Sequence, residues 1–430
     1  MALSRRVVVL GLAALTAACD DDALEPVTPP DADAGAMFNS YVAIGNSITA
    51  GFQSAGINDS TQIESYAVLL ANQMGTRFNV PLLNAPGCPP PLVNVFTQSR
   101  TNNLVPCALR SRGGLRFPIH NVSVPGADVV DVISNLTPAS SGNTLTTLFL
   151  GGRTQLEAAA EAAPTFVTIW IGNGDVLSSV TRTDALAGDP ATVTTVSDFQ
   201  DRYDDIVAGL EALGTVEGGV LIGAVQVGFA PYLTAGPAWE QFEQAFDANP
   251  AFGGLNFLDV TANCSQGLAD PGTGQTIFPT VPFHVGAPAL ATAIARADSV
   301  GTGTLDAADV DVVTIDCTAD EVISLPEMLN LFSIVAQYNA IIETAAGDLG
   351  FVYIDPNDLL LQLLADPDAI RPFPAFAGTV MDTTLSTTAP FGTALSRDGI
   401  HPSASAHRLL TDALIQAINA RYGTAIPALN

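Results

Sequence analysis

Three side chains near opposite ends of the chain have the types and spacing to activate an oxygen nucleophile. Ser47 follows the apolar run 41–44 and the pair Gly45-Asn46, while Ser396-Arg397-Asp398-Gly399-Ile400-His401-Pro402 holds a carboxylate and an imidazole three residues apart. A serine hydroxyl attacks a carbonyl carbon well only when a base takes its proton, and a carboxylate must orient that base. Asp398 and His401 fit on one short loop, so base and orienter come as a unit. Ser47 lies where an apolar strand breaks at Gly45, which exposes a side chain at the edge of a sheet. Singly, these are a strand-to-helix turn and an ordinary Asp-Gly turn. Only the pair points to acyl chemistry.

The elements that must position them alternate. Val/Ile-rich runs at 41–44, 119–124, 165–171, 219–227 and 351–354 are bounded by Gly, Pro or Asp, as buried parallel strands are. Between them, helical spacing predicts helices over 65–74, 153–163, 197–213, 326–349 and 403–422. The fourth carries Pro326 near its start and the last is followed by Gly423. The third opens on Ser197 as the expected N-cap. Strand–helix alternation predicts an α/β fold, a three-layer α/β/α sandwich with a mostly parallel five-stranded sheet. Residues 235–321 break the rhythm, being Gly/Pro-rich, aromatic and acidic, and read as a large insertion or cap. Asp306, Asp309 and Asp311 lie there, but without the twelve-residue calcium-loop pattern they read as a solvated acidic loop.

At 430 residues, 48% of them hydrophobic, the chain can bury a substantial core. Its net charge of −28 comes from 43 acidic residues against 15 basic ones, all Arg, and argues against a nucleic-acid partner. The start of the chain reads as an address. Arg5-Arg6 precede an apolar run, and Thr16-Ala17-Ala18 precede Cys19. That run is too short for a comfortable membrane span. Residues 1–19 resemble a bacterial lipoprotein signal, which implies lipidation of Cys19 and a membrane-anchored exported protein. Plain secretory cleavage and a soluble product is the alternative. Residues 20–37 read as an acidic tether ahead of a body over 38–430. Cys88, Cys107, Cys264 and Cys317 then remain, with three possible pairings. Local pairing, Cys88–Cys107 and Cys264–Cys317, closes the shortest loops and is the expectation. No C-x-x-C spacing or neighbouring histidine suggests a metal site.

From residue 38 to 422, the insertion apart, the chain resembles the SGNH hydrolases, the GDSL esterase/lipase family. Gly45-Asn46-Ser47-Ile48 stands where that family has Gly-Asp-Ser-Leu, and Asp398/His401 match its terminal Asp-x-x-His. The resemblance implies a covalent acyl-enzyme, the triad Ser47, Asp398 and His401, and no cofactor. It also implies an oxyanion hole from the Ser47 N–H, a glycine N–H and an asparagine amide. Val124-Pro125-Gly126-Ala127 offers Gly126 for the glycine. For the amide the family has Gly-x-Asn-Asp, whereas this chain reads Gly172-Asn173-Gly174-Asp175. One step along an extended segment turns a side chain to the opposite face. Either the two glycines bend the loop so that Asn173 still reaches, or the donor comes from elsewhere. The implied substrates are small-molecule, lipid or acylated-carbohydrate esters, in a pocket expected to be shaped by the insertion. An acyltransferase using the same triad and a catalytically impaired binding protein are the competing classes. Of the remaining ring residues, His407 reads as a surface or packing residue and Trp170 as core, and neither His120 nor His284 has a carboxylate at a telling spacing.

Overall fold

The computed structural model describes residues 35–102, 107, 116–135, 144–184, 186–249, 254–270, 273–375 and 389–429. The leader, Cys19 and most of the tether lie outside the described residues. Four strands form a parallel sheet: β1 (Tyr41–Gly45), β2 (Phe166–Trp170), β3 (Gly218–Ile222) and β4 (Val352–Ile354), hydrogen-bonded in that order. Every residue of β1, β2 and β3 is buried, as a sheet covered on both faces requires.

The expected strand at 119–124 lies against the free edge of β1 but is less regular than the others. The Ala43 N–H donates to the His120 carbonyl, the Val122 N–H to Ala43, and the Val124 N–H to Gly45, around a single parallel bridge between Ala43 and Asn121. The Asn121 side chain competes for the local donors by accepting from the N–H and hydroxyl of Ser123. The segment therefore completes the sheet as a fifth, broken member. In chain order the five run 2-1-3-4-5 across the sheet. That order places a switch point between β1 and β2, where neighbouring strand ends open a crevice.

Besides two short helices, Asp59–Ile63 and Thr144–Leu150, the helices in chain order are α1 (Ser47–Ala50), α2 (Tyr66–Met74), α3 (Gln155–Glu161), α4 (Asn173–Val180), α5 (Val196–Leu213), α6 (Gly236–Asp247), α7 (Phe283–Gly301), α8 (Leu325–Leu349), α9 (Pro356–Leu364) and α10 (Ala404–Tyr422). Alternation along the strands divides the core into two layers. Val42, Ile44, Val167, Ile169 and Leu221 pack with Phe199, Tyr203 and Ile206 of α5 and with Leu331, Val335 and Ile342 of α8. Tyr41, Ala43, Phe166, Val220 and Ile222 face the other way, onto Leu70 and Met74 of α2 and Leu414 and Ile418 of α10. The result is the three-layer α/β/α sandwich that the periodicity predicts. The cap of α5 differs from expectation: Thr195, not Ser197, accepts the N-terminal N–H, from Asp198.

Residues 235–321 hold α6, α7 and short strand pairs around a hydrophobic cluster that includes Trp239, Phe246, Leu258, Leu290 and Ile315. Both disulfides pair locally, Cys88 with Cys107 and Cys264 with Cys317. Closing a loop of 53 residues restricts the unfolded chain by about 4 kcal/mol in the chain-entropy account. Among the described residues, no helix is long and apolar enough to cross a membrane.

Candidate active site

Strand β1 ends at Gly45 and the chain turns at once into α1. Asn46 caps that helix, its side chain accepting the Ile48 N–H at 3.3 Å. Ser47 is the first residue of α1, so its own N–H has no intrahelical acceptor. The turn thus leaves the hydroxyl and the N–H of Ser47 at the C-terminal edge of the sheet, beside the switch point.

The loop before α10 brings the imidazole to meet it. His401 Nε2 lies 3.0 Å from Ser47 Oγ, and His401 Nδ1 lies 2.8 Å from Asp398 Oδ2. A carboxylate only accepts, so Nδ1 carries the proton and Nε2 is left as acceptor for the serine hydroxyl. Burial opposes ionisation of Asp398. The charge and side-chain hydrogen bond of His401 outweigh it, helped by the N–H groups of His401 and Ile400, and the carboxyl is pulled down to about 2. The ring of Phe52 packs on the imidazole with centroids 4.9 Å apart.

A second turn holds Asp398 from the far side, and nothing in its local sequence announces it. Gln53 and Gly56 exchange backbone hydrogen bonds, and Ser54 and Ala55 between them both have positive φ, 55° and 50°. Left-handed backbone at residues other than glycine costs roughly 1 kcal/mol or more each. The tertiary contacts offset that cost. The Ala55 N–H donates to Asp398 Oδ2, the Ser54 N–H donates to Ser396 Oγ, and Ser396 Oγ donates in turn to Asp398 Oδ1. Arg100 ties the same turn down through the Ala55 and Pro90 carbonyls.

Asn173 lines the cavity with Ser47 and His401, and the loop before it bends as the first of the two alternatives requires. The chain after β2 is not extended there. Gly172 adopts φ 110° and Asn173 already begins α4, so the side-chain direction follows a helix start. Gly174, which stands where the resemblance would put an asparagine, has no room for a side chain. A Cβ there would lie 2.5 Å from Asp128 Oδ1 and 2.6 Å from the Ala127 carbonyl. Asn173 is buried, and its Oδ1 accepts the Val225 N–H at 2.7 Å, which identifies the other amide atom as nitrogen. That Nδ2 has no hydrogen-bond partner among the described residues, and Asn173 lines the same cavity as Ser47 and His401. Two further asparagines that sequence reading passed over, Asn339 and Asn357, fix the loop after β3 through Ala224 and Gln226. The loop in turn orients Asn173.

Gly126 sits at φ 81° in the exposed turn that follows the broken edge strand, whose Val124 is bonded to Gly45. Asp175 links this turn to α4: it accepts the Val129 N–H at 2.9 Å and the Thr194 hydroxyl at 2.8 Å. Burial, then the neighbouring Asp128, raises the Asp175 carboxyl well above its ordinary value. Burial, then Asp131, pushes Asp128 up to about 7.

The remaining histidines stand apart from this chain of hydrogen bonds. His120 Nδ1 accepts the Asn79 N–H, and His284 Nδ1 faces the Tyr232 hydroxyl. His407 is a packing residue, fully buried beneath α2, with Nδ1 accepting the Tyr66 N–H at 3.2 Å. Burial, then the charge of His401, lowers it to about 3. Above pH 6.5 it is neutral in both states and costs nothing. As the pH falls from 6.5 to 3 the unfolded chain takes up a proton that the folded one refuses. Stability is therefore lost across that window, by about 1.4 kcal/mol per unit. His407→Asn keeps an acceptor near Tyr66 without the titration, so its unfolding free energy should fall less steeply between pH 6.5 and 3. Denaturant melts at several pH values measure that slope, and an unchanged slope would count against His407.

The cavity beside Ser47 departs from expectation. No described residue of 235–321 lines it. Its walls come from α9, the loop after β3 and residues 394–402. Apart from Ser47, Asn173 and His401, its lining is apolar or, at Trp170, aromatic. The insertion touches the loop that carries Asp398 and His401 indirectly, His284 of α7 meeting Tyr232, whose N–H donates to the Gly399 carbonyl at 3.0 Å.

No protein-family model and no curated protein sequence matches this chain. Similar solved structures include an acetylxylan esterase from Geobacillus stearothermophilus, at 12% identity over 88% of this chain and 94% of that one, with a TM-score of 0.37. A catalytic mutant of that enzyme aligns over the same shares at 12% identity with a TM-score of 0.35.

Proposed function

We propose that this chain is an exported serine esterase that hydrolyses carboxylic esters through a covalent acyl-enzyme. The observation that carries the reading is the unbroken series Ser47 Oγ, His401 Nε2, His401 Nδ1, Asp398 Oδ2, with steps of 3.0 and 2.8 Å between residues. Ser47 Oγ forms a bond to the ester carbonyl carbon as its proton passes to His401 Nε2. Asp398 stabilises the imidazolium, which its ionised state allows. The tetrahedral oxyanion is held by the Ser47 N–H, the Asn173 amide and the Gly126 N–H. Its collapse breaks the carbon–oxygen bond to the alcohol, and His401 returns the proton to the leaving alkoxide. Water then adds to the acyl-enzyme by the same route, releasing the acid and restoring Ser47. Residues 1–19 with Cys19 as the lipidated residue would place the enzyme on a membrane surface, and two disulfides fit an oxidising compartment.

Fluorophosphonate labelling tests the reading without a guess at substrate. Phosphonylation is expected at Ser47, located by peptide mass spectrometry, and absent from His401→Ala. Folded protein that takes no label would overturn the esterase reading and favour a binding protein on the same scaffold.

A further inference from the structure

The cavity beside Ser47, about 120 Å³, is a poor match for a sugar and a good one for a hydrocarbon. Three of the four side chains in its lining that can hydrogen-bond, Ser47, His401 and Asn173, are already placed at the reaction centre, and the fourth, Trp170, offers a single N–H. A carbohydrate ring buried against Leu359, Leu360 and Leu363 of α9 would leave its hydroxyls without partners, at a cost that aliphatic carbon does not incur. A second cavity, about 220 Å³, lies next to the first. Phe229, Ala230 and Ile370 line both, so they form the wall between them. The second cavity is apolar as well. Its one polar side chain, Thr234, donates its hydroxyl to the Pro231 carbonyl. Phe229 is held in place edge-on by the ring of Phe332, with centroids 4.9 Å apart.

We propose that the cavity beside Ser47 is the site for the unbranched aliphatic acyl chain of the ester, and that the Phe229–Ile370 wall sets the chain length it accepts. The proposal rests on Ser47 as nucleophile. Each methylene buried before the wall adds about fourfold to kcat/KM, and a chain that reaches the wall gains nothing further. Removing the Phe229 ring joins the two cavities along the acyl path, and enlarging it shortens that path.

The test is the kcat/KM profile of the full chain on 4-nitrophenyl esters from acetate to palmitate, for the wild-type protein, Phe229→Ala and Phe229→Trp. The wild-type profile should climb from acetate to a break at intermediate length. Phe229→Ala should raise the palmitate-to-butyrate ratio at least tenfold, and Phe229→Trp should lower it. Phe229→Trp adds bulk without emptying the site, so it remains informative if Phe229→Ala does not fold. An active enzyme with a flat or acetate-preferring profile would overturn the acyl site while leaving the esterase reading intact. A break that neither variant moves would overturn Phe229 as its cause. Absence of both hydrolysis and fluorophosphonate labelling would overturn the esterase reading, and this proposal with it.

Discussion

His401→Ala is expected to lower kcat/KM on an activated ester by at least about 10⁴-fold, with the thermal midpoint little changed. The imidazole lies 3.0 Å from Ser47 Oγ with an acceptor nitrogen that can take its proton. Ser47→Ala should lose a similar amount, and the double variant little more than either, because the two residues act as a unit. Asp398→Asn tests the third member differently. An amide would present an N–H to Nδ1 or force the ring into the other tautomer, which leaves Nε2 protonated and unable to act as base. A loss of about 10⁴-fold is expected there too. Retention of more than a tenth of the activity in His401→Ala would sink the triad. Steady-state kinetics on all four variants, with unfolding curves to confirm the fold, decides the matter.

Asn173 carries the second large effect. Truncation to alanine should reduce kcat by roughly 10²–10³-fold with little change in KM, since the role proposed for the amide acts on charge that grows only in the transition state. Alanine also orphans the Val225 N–H, a structural loss of about 1–3 kcal/mol that would confuse the result. Asn173→Asp removes the ambiguity. It keeps an oxygen for Val225 and replaces only the nitrogen, so kcat should fall as far or further without orphaning that N–H, and unfolding curves measure the cost of the buried carboxyl. If Asn173→Asp kept kcat within fivefold, the donor would have to lie elsewhere. Gly174→Asn, which restores the family's spacing, is no substitute, because Asp128 and the Ala127 carbonyl occupy the space.

These residues show where sequence reading succeeds. The strands and the long helices follow from period and local hydrogen bonding, and the structure places them within a few residues, although the one N-cap expected, Ser197, falls to Thr195. Asp398 and His401 are legible because their partnership is local, three residues on one loop. The disulfides are legible because short loops close most easily.

What the chain alone determined is therefore a parallel α/β sandwich with a serine, a histidine and an aspartate brought to one edge. Only the tertiary structure decided how well they are held and what surrounds them. Asn173 lines the site because Gly172 turns the chain and a helix starts there, one of two outcomes that the Gly-Asn-Gly spacing left open. Ser54 and Ala55 carry no turn signature, and their left-handed backbone is sustained by Asp398 and Ser396, more than 340 positions away. His407 looks like any helix-surface histidine until α2 covers it. The acyl cavity draws on α4, α9, the loop after β3 and the catalytic loop, none of which predicts the others. Local periodicity specifies elements because its interactions lie within a turn or two. A pocket and the orientation of a buried amide depend on contacts between distant segments, and those exist only once the chain has folded.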